Sequence, residues 1–506
     1  MDQRRWRVKS PEQSIADTEE PGSKLRRDLG ALDLVVFGVA VVVGAGIFTL
    51  AASTAGNIAG PSVSLAFVIS AVACGLAALC YAEFASTVPV AGSAYTFSYA
   101  TFGELVAWII GWDLMLEFPL GAAVVAKAWS QYLAQVISLT GIKLETATVE
   151  LGSLRFDWGA LLVIAAITAV LALGIKLSSR VSQVITAIKI AVVLLVIAVG
   201  IRYVHMSNYT PFIPPPAPAT PGGSGLEQSL LSLLGGSSTS VFGIYGLLAA
   251  ASIVFFAFIG FDIVATTAEE TRRPARDVPR GIIGSLVIVT ILYIAVSLVV
   301  TGMVRYTDLA TKPGGAKATL ATAFTLNGVT WAAAIISIGA LAGLTTVVLV
   351  ISLGQTRVLF AMCRDGLLPR GLARTGARGT PVRLTLIVGA VVAAIAALFP
   401  AERLEEMVNV GTLSAFVLVS VGVLILRRTR PELTRAFRTP LVPWVPILAA
   451  LSCLWLMVNL TVVTWLRFLT WLALGFVLYF AYGRQHSRLA VAQATQAPAP
   501  VEQRSP

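Results

Sequence analysis

Twelve apolar stretches of about 20 residues follow one another along this chain, and that length is what a helix needs to cross a bilayer. They run over roughly 31–55, 62–82, 104–128, 159–176, 183–202, 245–267, 281–303, 331–358, 383–399, 408–427, 442–461 and 464–482, and are numbered here as runs 1 to 12. Only 12% of the 506 residues are charged while 57% are hydrophobic. A soluble domain carries about 25% charged residues, so this chain cannot clothe a water-facing surface. A soluble enzyme is excluded, and so is intrinsic disorder, which needs low hydrophobicity. The expected class is an all-α membrane protein with twelve transmembrane helices.

The formal net charge of +11 invites a nucleic-acid reading, but the basic residues lie between apolar runs and not on one soluble face. With the N-terminus placed inside, 27 of the 37 Lys and Arg residues fall in the two tails and the inner loops. That bias is the one that orients multi-pass membrane proteins. Both termini are expected in the cytoplasm and the chain in the cell membrane, with the lipid bilayer as its surroundings and no nucleic-acid partner. Residues 1–30 carry no apolar h-region next to the start, and read as a cytoplasmic tail and not a signal peptide. The segment 483–506 ends in Pro, Ala and Gln and reads as a disordered cytoplasmic tail. The outer loop over about 203–244 contains PFIPPPAPATPGGSG and is expected to lack regular structure at its start. Cys74, Cys80, Cys363 and Cys453 form no C-x-x-C pair, and the chain has only two histidines, His205 and His486. No disulfide framework, metal site or cofactor is expected.

Two runs contain an unusual interruption. Run 1 carries Gly44-Ala45-Gly46-Ile47-Phe48, and run 6 carries Phe255-Phe256-Ala257-Phe258-Ile259-Gly260-Phe261-Asp262. Glycine inside a helix costs about 0.5–1 kcal/mol against alanine, and two at i and i+2 favour local unwinding. The interruptions are five runs apart, the spacing of two five-helix inverted repeats that each open on a discontinuous helix. The domain 31–482 then divides into a first repeat (31–202), a second repeat (245–427) and two extra helices (442–482). Irregular backbone survives at membrane depth only inside protein or beside a cavity. An unwound Gly44–Ile47 stretch offers N–H groups and a positive helix end to a carboxylate. Carbonyls over Phe256–Ile259 offer acceptors to an ammonium. A site presenting both would hold a free amino acid.

These residues also carry a family resemblance. GAGIF in run 1, FFAFIGFD in run 6, AEETRRPARDVPRGI after it and GQTRVLFAMCRDGLLP at 354–369 together resemble the amino acid–polyamine–organocation superfamily, and within it the bacterial cationic amino acid transporter branch. The resemblance covers about residues 25–480. It implies a LeuT-type fold, secondary active transport and alternating access. It further implies that Val43, Gly44, Ala45, Gly46 and Ile47 contact the substrate carboxylate, and that carbonyls around Phe256, Ala257 and Ile259 contact its amine.

Ionisable residues inside the runs are functional candidates, because a charge at the bilayer centre costs about 2.5–3.5 kcal/mol on insertion scales. Lys189 lies within run 5. Either it props or snorkels, or it takes up and releases the coupling proton; some relatives place such a lysine where sodium-coupled cousins bind Na⁺. By that analogy it braces the run 1 break against run 8, near Thr345 and Thr346. Glu117, in the middle of run 3, either pairs with a cationic substrate side chain or is a structural acid; Asp113 lies one turn earlier. Asp262 is expected to cap the second half of run 6. Glu83, Glu269, Glu270, Arg272, Arg273, Arg276, Arg280, Arg357, Arg364 and Asp365 fall at the inner side, where ion pairs could close a gate. Trp108, Trp112, Trp158 and Trp465 read as interfacial belts.

The expected function is therefore a proton-coupled permease for free amino acids, cationic ones on the branch resemblance and Glu117, with free amino acid and protons as its partners. The alternative is an amino acid or polyamine exchanger. An enzyme is not expected, since neither H-E-x-x-H nor G-x-S-x-G occurs; no P-loop is present for ATP. A channel would need pore-lining rings. The oligomeric state is not legible.

Overall fold

The structure, a computed structural model, describes residues 28–87, 93–142, 144, 146–151, 154–174, 179–218, 225–235, 240–311, 317–374 and 381–488. The expected tail over 1–30 lies almost wholly outside the described residues.

Helix carries every one of the twelve runs. Among the described residues, eight helical stretches are long and apolar enough to cross a bilayer: Gly46–Thr87, Glu104–Ser138, Gln183–Tyr203, Gly243–Ala265, Pro274–Met303, Thr330–Arg364, Ala401–Thr429 and Val462–His486. Four further apolar helices are shorter: Ala31–Val42, Trp158–Ala172, Val382–Leu398 and Trp444–Val458. The 42-residue stretch Gly46–Thr87 would be about 60 Å long if straight, twice the hydrocarbon thickness. It is divided at Gly60, whose φ of +64° is open to glycine and strained for other residues. Pro61 follows at once in a tight turn over Gly60–Ser62. The second part of run 1 and all of run 2 lie on either side of that turn.

The middle of the molecule is built on Glu104–Ser138, whose most apolar window is 89% buried, whereas that of Val462–His486 is only 22% buried. Long helices that pack on every side need small residues, and here Gly111, whose added Cβ would lie 2.8 Å from Met362, and a run of alanines supply them.

Several expectations are corrected. The fold is predominantly helical as expected, but two short antiparallel pairs lie in its connections: Thr148–Leu151 (β1) with Leu154–Asp157 (β2), and Ala217–Pro218 with Ser240–Val241. Pairing satisfies backbone groups that these non-helical connections would otherwise leave open. The loop after run 5 is ordered at its start. The His205 amide donates to the Gly302 carbonyl at 2.9 Å, Asn208 Nδ2 donates to the same carbonyl at 2.7 Å, and the Tyr209 hydroxyl donates to Leu298 O at 2.7 Å. The prolines follow this anchored stretch and do not prevent it.

The C-terminal segment is docked at its start: Arg484–His486 is helical and Ser487 is fully buried, donating to Glu104 Oε2 at 2.7 Å. Residues 489–506, where the disordered tail was expected, lie outside the described residues. Trp108 and Trp112 are buried between helices and not at an interface. Their indole N–H groups donate to Gly475 O and Trp471 O, both at 2.8 Å, and the Trp112 ring stacks on Trp471 at 4.4 Å. A buried indole needs an acceptor, and the last long helix provides it.

Candidate functional site

Both interruptions are real breaks. Helix Ala31–Val42 stops at Val43, whose ψ of 89° leaves helical space. Helical hydrogen bonding resumes in a wide π turn over Gly46–Leu50. Helix Gly243–Val254 tightens into a 3-10 turn over Phe255–Phe258, and Ile259 is extended with ψ 138°. Gly260 follows at φ +116°, a left-handed backbone that L side chains rarely adopt. The breaks touch: a Cβ placed on Gly46 would lie 2.3 Å from Ala257 Cα.

Breaking a helix frees carbonyls that lipid cannot satisfy, and side chains from four other helices take them. Lys189 Nζ donates to Ala40 O and to Val43 O, the latter at 3.3 Å. The Tyr293 hydroxyl lies 2.6 Å from Val42 O and 2.9 Å from Ala257 O. It has one proton, so it donates to one carbonyl at a time and links the two breaks. The Tyr132 hydroxyl donates to Phe48 O at 2.7 Å. Asn409 Nδ2 donates to Ser252 O at 2.8 Å, one turn before the run 6 break. Sequence reasoning singled out Lys189 and missed the other three. A tyrosine in the middle of apolar run 7 was the available signal, because a phenol in hydrocarbon needs an acceptor.

A cavity lies against the breaks, lined by Gly44, Ala45, Gly46, Glu117, Phe118, Gly121, Val125, Phe256, Ile259, Gly260, Val347, Ile351 and Val408 among others. Six of the nine expected binding residues are thus on its wall: Gly44, Ala45, Gly46, Glu117, Phe256 and Ile259. Val43, Ile47 and Ala257 are not, although all three are buried beside it. The Ala257 carbonyl faces Tyr293, and Phe256 O accepts the Ile259 amide at 3.2 Å. Gly44 lies outside any helix, and its amide has no acceptor among the described residues. The free volume is about 30 Å³, room for about two waters. A ligand of amino-acid size therefore fits only after the walls part.

Glu117 is 2% exposed and its Oε2 has no hydrogen-bond partner among the described residues. Asp113 accepts from Ser414 Oγ at 3.0 Å, tying run 3 to run 10. Asp262 stands at the N-cap position of Ile263–Thr266, but its side chain makes no capping bond and its buried Oδ1 has no partner among the described residues. The expected cap is thus present in position only. The Lys189 stem passes Gly343, whose missing Cβ would lie 2.5 Å from Lys189 Cγ. Thr345 and Thr346, the neighbours expected for it, are engaged elsewhere: Thr345 Oγ1 accepts from Trp129 at 2.9 Å and Thr346 donates to Gly343 O at 2.7 Å.

Among the residues expected at the inner side, Arg357 pairs with Glu270 at 3.4 Å. Glu83 takes Arg427 at 2.7 Å and Arg435 at 3.3 Å. Asp365 accepts from the Tyr95 hydroxyl at 2.7 Å. At the opposite end, Lys317 pairs with Glu402 at 3.1 Å and Glu405 at 3.4 Å.

Residues 29–480 match the family model described as amino acid permease. The chain belongs to the amino acid permease family, within the amino acid–polyamine–organocation superfamily. It is 45% identical over 491 residues to the branched-chain amino acid permease BcaP of Bacillus subtilis (strain 168), covering 96% of this chain and 98% of that one. It is 41% identical to the methylthioribose transporter of the same organism, over 95% of this chain and 98% of the relative. Identity to cationic amino acid transporter 4 of Homo sapiens is 36%, over 83% of this chain and 62% of the relative. The relatives are transporters and not enzymes, and this permease is an integral membrane protein of amino acid transport.

Proposed function

We propose that this permease carries one free amino acid at a time through the cavity between the two breaks, exposing it to alternate sides of the cell membrane. The observation that carries this reading is the Gly44 amide, without an acceptor among the described residues, on the wall of a cavity bounded by the run 6 break. That donor, with the flanking Ala45 and Gly46, suits the α-carboxylate; backbone of Phe256 and Ile259 suits the amine. Twelve membrane-crossing helices in a LeuT-type arrangement, two inverted five-helix repeats and a terminal pair, accommodate this site, with both termini cytoplasmic. The small free volume fits a closed conformation from which runs 1 and 6 swing to admit or release substrate. Rupture of the Arg357–Glu270 pair belongs to the inward-opening step.

The side chain of the substrate meets Val125, Val347, Ile351 and Val408. An apolar wall stabilises an apolar side chain by about 0.8 kcal/mol per buried methylene, which favours branched-chain and similar substrates, in line with the name of the Bacillus subtilis permease. A second reading, a cationic substrate such as arginine, lysine or ornithine, is favoured by one observation: the unpartnered Glu117 oxygen on the same wall. Coupling to protons is assigned to Lys189. Its ammonium holds the Ala40 and Val43 carbonyls more firmly than a neutral amine would, so loss of the proton loosens the run 1 break.

Counterflow into proteoliposomes decides among these. Leucine and arginine are compared with and without a pH gradient, for wild type, Glu117→Gln and Lys189→Ala. Leucine transport that survives Glu117→Gln supports the apolar reading; arginine transport abolished by it supports the cationic one. A Lys189→Ala protein whose uptake still follows the pH gradient overturns the coupling assignment. Uptake that needs internal substrate and ignores pH would mark an exchanger.

A further inference from the structure

We propose that the groove beside the connection between runs 8 and 9 is a binding site for the headgroup of an anionic phospholipid. The groove has a volume of about 610 Å³ and is lined by Pro369, Leu372, Arg374, Arg383, Leu386 and Ile387. It rests on the placement of this permease in a bilayer, and not on which substrate is carried.

Helix Val382–Leu398 has two faces. Leu384, Thr385, Val388, Gly389 and Val392 are buried against the protein. Leu386, Ile387 and Val391 are 50%, 52% and 51% exposed, and with Leu398 they share the other face at helical spacing. An apolar stripe of this kind is a surface for acyl chains. Arg383 stands at its head on the same face, exposed. The helix has 17 residues, about 25 Å in length, so Arg383 lies near the headgroup level when the stripe lies in hydrocarbon. Arg374 reaches the groove from the other side, from the end of the turn Arg370–Ala373.

Neither of the two arginines that line the groove is charge-balanced, whereas several others of the chain are. Arg427 and Arg435 are held by Glu83, Arg357 by Glu270, Arg273 by Asp277 and Arg430 by Glu432. Among the described residues no carboxylate pairs with Arg374 or Arg383. A guanidinium matches a phosphate bidentately through its fixed fork of donors. Two unbalanced forks at the mouth of a groove, at the head of an apolar stripe, complement a molecule with an anionic head and hydrocarbon tails. A zwitterionic lipid brings its own ammonium, which the arginines repel, so the site selects phosphatidylglycerol-type lipids over phosphatidylcholine.

The test is native mass spectrometry of the full chain in detergent, titrated with phosphatidylglycerol, phosphatidylcholine or inorganic phosphate. The expected result is a saturable phosphatidylglycerol adduct favoured over phosphatidylcholine. Arg374→Gln with Arg383→Gln weakens it roughly thirtyfold, the factor two surface arginines contribute to anionic-lipid affinity. Arg374→Lys with Arg383→Lys retains most of the preference. Equal binding of the two lipids by wild type, inorganic phosphate binding as tightly as lipid, or an unchanged adduct in the Gln variant would each overturn the proposal. The comparison of lipids on wild type decides it even if the Gln variant folds poorly. Transport is not the readout, so failure here leaves the substrate reading intact.

Discussion

Replacing Gly46 by alanine probes the contact between the two breaks directly. The added Cβ would lie 2.3 Å from both Cα and Cβ of Ala257, where ordinary van der Waals contact begins at 3.4 Å. At least one of the broken segments must therefore shift by about 1 Å. Neither can do so freely. Ala257 is held through its carbonyl by Tyr293, and the run 1 break is held by Lys189 and Tyr132. Overpacking a core of this kind costs about 1–3 kcal/mol, a factor of roughly 5 to 150 in an equilibrium. The cost falls on the closed conformation, because the clash vanishes once the breaks separate. The expected result is a drop in counterflow rate of that order together with a lower unfolding temperature in detergent. Gly75→Ala is the reference: no atom lies within 4 Å of its added Cβ, and alanine is the better helix former by about 1 kcal/mol. It should transport and unfold like wild type, or slightly better. A Gly46→Ala protein indistinguishable from Gly75→Ala in both assays would refute the touching-break geometry.

Tyr293→Phe keeps the ring and removes the hydroxyl that serves Val42 O and Ala257 O; leaving a buried carbonyl unpaired should destabilise the fold by about 1–3 kcal/mol, read as a lower thermal midpoint. Unchanged stability would mean water takes the hydroxyl's place. Glu83→Gln removes the partner of both Arg427 and Arg435 and should cost at least about 2 kcal/mol, while transport per folded molecule is preserved. Burial drags the Lys317 ammonium down, but the Glu405 and Glu402 carboxylates outweigh it and hold it above its ordinary value. A raised folded value contributes stability that is fully present below the unfolded value, near 10.4, and is lost only as pH rises through the folded one. Lys317→Met should therefore lower the unfolding temperature at pH 8, where it strands the Glu405 carboxylate in its buried site; an unchanged unfolding temperature contradicts the pairing. Gly121→Leu places a side chain in the cavity at a position with open space and should abolish transport of leucine while the protein stays folded, as judged by gel filtration.

Which parts of the chain are helical was legible because hydropathy over 20 residues is a local property that a bilayer reads directly. The same holds for the breaks: Gly46 and Gly260 announce missing bulk and backbone freedom by their own chemistry, and the structure uses the first against Ala257 and the second in a left-handed backbone. Lys189 was legible for another reason, since an amine in hydrocarbon stands out in any sequence. Its partners were not. Ala40 O and Val43 O are backbone atoms without a side-chain signature, and the expected threonines turned out to be occupied by Trp129 and by their own helix. The tryptophans mark a second limit. Trp108 and Trp112 have the composition of an interfacial belt, yet they bury against a helix more than 350 residues away in the chain.

The order of apolar runs, the paired glycine interruptions and the placement of charge outside the runs follow from sequence alone, since each depends only on neighbouring residues and on the solvent they face. The capping of the freed carbonyls by Tyr293, Tyr132 and Asn409, the contact of Gly46 with Ala257 and the apolar wall opposite Glu117 were decided by tertiary structure. Hydrogen bonds and van der Waals contacts act within a few ångströms, so residues far apart in the chain acquire them only when the helices that carry them have packed.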